Sequence, residues 1–166
     1  MNKYFVINGQ GGSGKDSFIK MVDRYYLDKV INVSSVDPIK WLAKYGDWDG
    51  GKTDKDRKFL SDLKKLFIDY NDLPLRFLTM QMKLLHEDSI IFMHVREGSE
   101  IDKMKAVEPA IKTVLIDRQV EEKGNDSDDM VYDYEYDYVI DNNGSLEDLD
   151  EAAITFVDNV VVLEEF

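Results

Sequence analysis

The sequence contains no cysteine, which excludes disulfides and thiolate metal centres and makes a reducing compartment natural. It also has no long apolar run. Ile90 to Met93, which no other apolar run exceeds, is far too short to span a bilayer, so no membrane partner is expected. No signal-peptide layout opens the chain, because Met1-Asn2-Lys3-Tyr4 leads straight into a strand-like segment; a cytoplasmic protein is the expectation. Cations are scarce as well. Against 34 Asp and Glu stand 21 Lys and Arg, for a net charge of −13. From Asp117 to Asp150 the only cations are Arg118 and Lys123. A surface of this sign repels nucleic-acid backbones, so nucleic acid is not an expected partner. Most of the acids read as a well-hydrated face.

What is present is 166 residues, 43% of them hydrophobic, the size of one domain with a proper core. The organising stretch lies near the start. Lys3 to Asn8 is short, apolar and β-prone; Gly9-Gln10-Gly11-Gly12-Ser13-Gly14-Lys15-Asp16-Ser17 follows; from Phe18 the apolar residues fall at helical spacing. Strand, glycine loop and helix form the setting of a phosphate-binding loop. Glycines let successive N–H groups turn inward toward phosphate oxygens, and the helix adds its positive dipole end. Gly9, Gly14 and Lys15 satisfy the Gly-x4-Gly-Lys spacing. Asp16 occupies the place of the usual hydroxyl, and Ser17 is the substitute expected to hold Mg²⁺. Gly9, Gly11 and Gly14 also fit a dinucleotide fingerprint, with Asp37 as a ribose-binding acid. Lys15 and the short chain weigh against it, since an ammonium there suits a triphosphate tail.

The rest of the chain alternates strand and helix. Lys29 to Ser34 reads as a strand, followed by a helix entered at Asp37-Pro38 with Asp37 as N-cap and with Ile39, Leu42 and Trp41 inward. Thr53 and Asp56 form a capping-box pattern before an amphipathic helix whose inner face is Phe59, Leu60, Leu63, Leu66, Phe67 and Tyr70. A further helix carries Leu75, Arg76, Leu78 and Met82. Ser89 to Val95 is a buried parallel strand; Glu100 to Val107 is a short helix; Ile111 to Ile116 is the next strand. Tyr136 to Ile140 is the last strand and Ser145 caps the final helix. His94 reads as a packed core histidine, and the alternating Tyr132, Tyr134, Tyr136 and Tyr138 as packing residues. The order implies an α/β fold with a parallel sheet of about five strands. In such sheets ligands sit beyond the carboxyl ends of the strands, which gathers Gly9 to Ser17, Asp37, Arg96, Arg118 and Asn142 on one rim.

These residues resemble the P-loop nucleoside monophosphate kinases, most closely the phage and bacterial deoxynucleoside monophosphate kinases. The likeness rests on Gly14-Lys15-Asp16-Ser17, on Ser35-Val36-Asp37-Pro38-Ile39-Lys40, and on Arg96 with Glu100. It rests also on Arg118 and on Tyr136-Asp137-Tyr138-Val139-Ile140-Asp141-Asn142. It implies a single three-layer P-loop domain over 1–166, an acceptor-binding segment over 37–88 and a short lid over 118–136. It further implies transfer of the γ-phosphoryl group of ATP, with Mg²⁺, to a (deoxy)nucleoside monophosphate. Gly9, Gly11, Gly12, Ser13, Gly14, Lys15, Asp16, Ser17, Arg118 and Asn142 would hold the donor, with Asn142 beside the adenine. Asp37, Lys40, Arg76 and Arg96 would hold the acceptor; Lys15, Arg96, Arg118 and Asp37 would act in transfer, and Ser17 would ligate the metal. The pattern departs from that family at His94, where an aspartate is frequent, and in a lid poor in arginine. A modified base in DNA, another small acceptor, or a nucleotide-binding module without turnover are the alternatives. A homodimer is compatible with the sequence.

Overall fold

The computed structural model describes residues 3–26, 29–84, 88–119 and 130–162. The lid expected over 118–136 and the end of the acceptor segment therefore lie partly outside the described residues. In chain order come β1 (Lys3–Asn8), α1 (Lys15–Tyr25), β2 (Val30–Ser34), α2 (Asp37–Tyr45), α3 (Asp54–Asn71) and α4 (Leu73–Lys83). Then follow β3 (Ile90–His94), α5 (Gly98–Val107), β4 (Lys112–Asp117), a 3₁₀ turn (Met130–Asp133), β5 (Tyr138–Asp141) and α6 (Leu146–Phe156). A π-helical turn, Val157–Val162, continues α6.

The five strands form one parallel sheet in the order β2-β3-β1-β4-β5. β1 sits at the centre because both its faces are apolar. Phe5 and Ile7 point to one side and Val6 to the other, all at most 1% exposed. The first side packs Phe18, Ile19 and Val22 of α1 and Leu149, Ala153 and Phe156 of α6. The second packs Phe77, Leu78 and Met82 of α4 and Ile101 and Met104 of α5. Burying each such side chain contributes about 1.5–3 kcal/mol. Three layers result, and the register brings the strand ends level: Ile7 and Ser34 both lie beside His94, Asn8 beside Leu115, and Asp117 beside Asp141.

Both capping boxes form, with aspartate doing the work usually given to glutamate. Thr53 accepts from the Asp56 amide at 3.2 Å while Asp56 accepts from the Thr53 amide at 2.9 Å, and Ser145 and Asp148 repeat the arrangement. Several local expectations need correction. Asp37 does not cap its own helix, for Val36 is the N-cap; its Oδ2 accepts instead from the Ser34 amide at 2.7 Å. On α2 it is Pro38, Ile39 and Ala43 that are buried, whereas Leu42 is exposed and Trp41, 54% exposed, meets Phe77 edge to face. On α3 no side chain is fully buried; Phe59, Leu66 and Tyr70 are exposed, because the helix packs on α2 and α4 at the periphery and not on the sheet. β5 also starts later than expected. Asp137 turns its side chain onto the Thr113 amide and hydroxyl, 2.7 and 2.8 Å away, and so fixes the edge before the ladder begins. Tyr132 belongs to the 3₁₀ turn, and Tyr134 and Tyr136 lie between that turn and the strand.

Candidate active site

The glycine loop leaves the carboxyl end of the central strand and enters α1 at once. Gly9, Gly12 and Gly14 have φ of 143°, 78° and 97°, all in the region that disfavours side chains. At Gly9 a Cβ would lie 2.6 Å from the Ile116 carbonyl oxygen, and at Gly14 it would collide with Asn142 Nδ2. Gly14 is the N-cap of α1 and supplies no side-chain cap, so the positive end of the helix is left to whatever the loop encloses. Lys15 folds back over the mouth: its Nζ donates to the Gly9 and Gln10 carbonyls at 2.6 and 2.8 Å. A cation held among main-chain oxygens beside a ring of amides is placed to meet an entering anion.

Two asparagines hold this loop in shape. Asn142, 5% exposed, donates from Nδ2 to the Ser13 carbonyl at 2.7 Å. It therefore braces the back of the loop. Asn8 is a junction: its Oδ1 accepts from the Gly9 amide, and its Nδ2 donates to the Arg96 carbonyl and to the Tyr136 hydroxyl, each at 2.9 Å. Tyr136 in turn donates to the Val131 carbonyl at 2.8 Å. Burial pushes the Tyr136 phenol up to about 12, so it stays a neutral donor. Neither Asn8 nor Tyr136 was marked for this duty by the sequence, where one closes a strand and the other belongs to a tyrosine alternation.

In front of the loop opens a cavity of about 590 Å³, within the range of small-molecule sites. Its walls gather Gly9, Lys15 and Asp16 from the loop, Asp37 and Lys40 from α2, Lys64 from α3, and His94, Arg96 and Glu97 from the end of β3 and beyond. Four cations face three carboxylates there, the reverse of the balance over the whole chain. Asp16, not Ser17, is the loop side chain that lines it. One helical step turns the next side chain by about 100°, which carries Ser17 away from the wall. Asp16 Oδ1 accepts from Asn32 Nδ2 at 3.3 Å and lies 3.7 Å from His94 Nε2. His94 in turn meets Asn32 Oδ1 at 2.8 Å. Burial lowers the His94 imidazole below its ordinary range, with Asp16 pulling the other way.

Of the expected acceptor residues, Asp37, Lys40 and Arg96 share this cavity, whereas Arg76 is exposed on α4 and does not line it. Arg118 follows β4 directly, is exposed, and lies outside the lining residues. Lys64 was not foreseen. It sits among polar residues of an amphipathic helix, and only the packing of α3 across the strand ends reveals where it points.

No protein-family model and no curated protein sequence matches this chain. Solved structures do. The shikimate kinase of Aquifex aeolicus superposes with a TM-score of 0.54 over 98% of this chain and 99% of its own, at 11% identity. The APS kinase of Mycobacterium tuberculosis in complex with AMPPNP and APS gives 0.50 over 94% and 96%, at 18% identity. A gluconokinase of Sinorhizobium meliloti gives 0.50 over 95% and 93%, at 14% identity. The fold is that of the P-loop kinases. Among the described residues no helix is long and apolar enough to cross a membrane.

Proposed function

We propose that the protein is an ATP-dependent kinase that transfers the γ-phosphoryl group to a (deoxy)nucleoside monophosphate. One observation supports this most: the glycine loop with Lys15 at its mouth opens onto the same cavity as Lys40, Lys64 and Arg96. Phosphoryl transfer needs two anions aligned end to end with cations around the charge between them, and little covalent help from the protein.

The loop fits the triphosphate of ATP. Three glycines curl the main chain, no side chain closes the helix end, and an ammonium waits at the entrance. Bound with Mg²⁺, ATP would supply the transferable phosphoryl group, its charge partly offset by the metal. Among the described residues no group of three or more His, Cys, Asp or Glu is arranged to hold a metal alone. Mg²⁺ would therefore enter with the phosphates, and Asp16 and Ser17 are the protein oxygens next to Lys15 that the loop offers it. Lys15 would hold the β- and γ-phosphates. Arg96 and Lys40 would draw in the acceptor phosphate, and Asp37, pinned by the Ser34 amide, would orient the rest of the acceptor. Arg118, at the root of the lid segment, would bridge donor and acceptor. The acceptor is a small molecule and the reaction needs neither nucleic acid nor membrane.

A second reading has its own support. Among the described residues that line the cavity none is Phe, Tyr or Trp, so no aromatic ring described there stacks on a base. A small hydroxylated acceptor, of the kind named for the shikimate and gluconate enzymes, fits such walls. Coupled detection of ADP across a panel of nucleoside monophosphates, shikimate and gluconate separates the two. Release that needs both Mg²⁺ and a monophosphate supports the first. Release with only a neutral or carboxylate acceptor, or with none, rejects it.

A further inference from the structure

Lys64 is a charged group that α3 presents to a neighbouring element, largely shielded from water. Its side chain is 13% exposed, its Nζ lies 2.7 Å from Glu100 Oε2 and 3.8 Å from Glu97 Oε1, and Glu100 is 12% exposed. Exposed pairs on the same helix, such as Lys58–Asp62 and Lys65–Asp69, contribute little because water screens them. A buried pair is different, because two charges have lost their water and each depends on the other. α3 has no fully buried residue, so its packing gives no reason to sink a lysine. Lys64 lines the cavity and Glu100 does not. A molecule entering the cavity therefore meets the ammonium with Glu97 on the wall beside it, and leaves the Glu100 carboxylate behind.

We propose that Lys64 is an acceptor-phosphate ligand stored on Glu100, and that exchange of the carboxylate for a phosphate selects dianionic acceptors. This rests on the monophosphate reading above and names the feature that enforces it. A phosphate brings two charges and three acceptor oxygens to an ammonium that rests on Glu100 at 2.7 Å, with Glu97 farther off at 3.8 Å. A nucleoside or a neutral sugar brings nothing able to replace that carboxylate. Glu100 suits the role, since burial raises its carboxyl above the ordinary range while Lys64 holds it down.

The full-length protein, saturated with Mg²⁺ and AMPPNP so that the glycine loop is filled, is titrated calorimetrically with AMP, dTMP and dGMP, and with thymidine as the neutral control. Lys64→Ala should weaken the bound monophosphate roughly 10–100-fold, the usual worth of a charged hydrogen bond. Lys64→Arg should keep most of the affinity, and Glu100→Gln should tighten it, with AMPPNP affinity unchanged in all three. Lys64→Met, which keeps the aliphatic stem, replaces the alanine variant if that one does not fold. Two results overturn the proposal: wild-type monophosphate affinity in Lys64→Ala, or Glu100→Gln weakening binding as much as Lys64→Ala, as a merely structural pair would. If the loaded wild type binds no monophosphate, the monophosphate reading falls and takes this proposal with it; if it binds and Lys64→Ala is silent, only the role of Lys64 falls.

Discussion

Replacing Gly14 by alanine probes the loop at the point where three constraints meet. Its φ of 97° is costly for any residue with a Cβ, about 1–2 kcal/mol. The new methyl would also occupy the place of Asn142 Nδ2. Asn142 is 5% exposed and cannot swing into water without giving up its 2.7 Å bond to the Ser13 carbonyl. Leaving those two groups unpaired costs about 1–3 kcal/mol more. The total, about 2–5 kcal/mol, corresponds to a fall in Tm of roughly 4–20 °C for a chain of this size. Removing the obstacle tests the cause. In an Asn142→Ala background the same glycine change should cost only the backbone share, so the double-mutant cycle should show a coupling of about 1 kcal/mol or more. The assay is thermal melting of the four proteins with and without Mg²⁺ and AMPPNP. Additive effects, or a Gly14→Ala protein that melts with the wild type, would refute the close approach of helix entry and Asn142.

Lys15→Ala should lower phosphoryl transfer at least 100-fold, the scale for losing one charge-stabilising donor, while Tm moves little; full ADP release in this variant removes the kinase reading. His94 gives a pH dependence. Because burial depresses its pKa, the unfolded chain takes the proton more readily, so its share of stability is complete above about pH 6.5 and is lost as the pH falls through the lower folded value. His94→Gln should flatten the decline in Tm between pH 7 and 5, and equal slopes for the two proteins would show that the histidine is not responsible. Phe59, Leu66 and Tyr70 are exposed on α3, and the homodimer that the sequence allows would use this strip. Sedimentation velocity should show a concentration-dependent dimer that Leu66→Glu abolishes, and a wild type that stays monomeric at every concentration overturns it.

Much of this molecule is written in short-range terms. A glycine at 9 and at 14, with Lys15 after the second, commits the main chain to a turn that only residues without a Cβ can follow. Thr53 with Asp56, and Ser145 with Asp148, start their helices wherever those helices end up. The doubly apolar β1 and β3 announce a parallel sheet covered on both sides, and with it a rim of strand ends. Packing decided the rest, since periodicity shows that a helix has an apolar face but not how far from the sheet it will lie. α3 came to rest at the edge, so Phe59, Leu66 and Tyr70 stayed in water while Lys64 turned into the cavity. Asp37 and Asn142 could each be placed next to the loop from the chain order. Asp37 meets the Ser34 amide within its own turn, whereas the partner of Asn142 is Ser13, more than a hundred residues away. Local residue types set conformations through sterics and capping, whereas the direction of a long side chain is settled only when distant elements close around it.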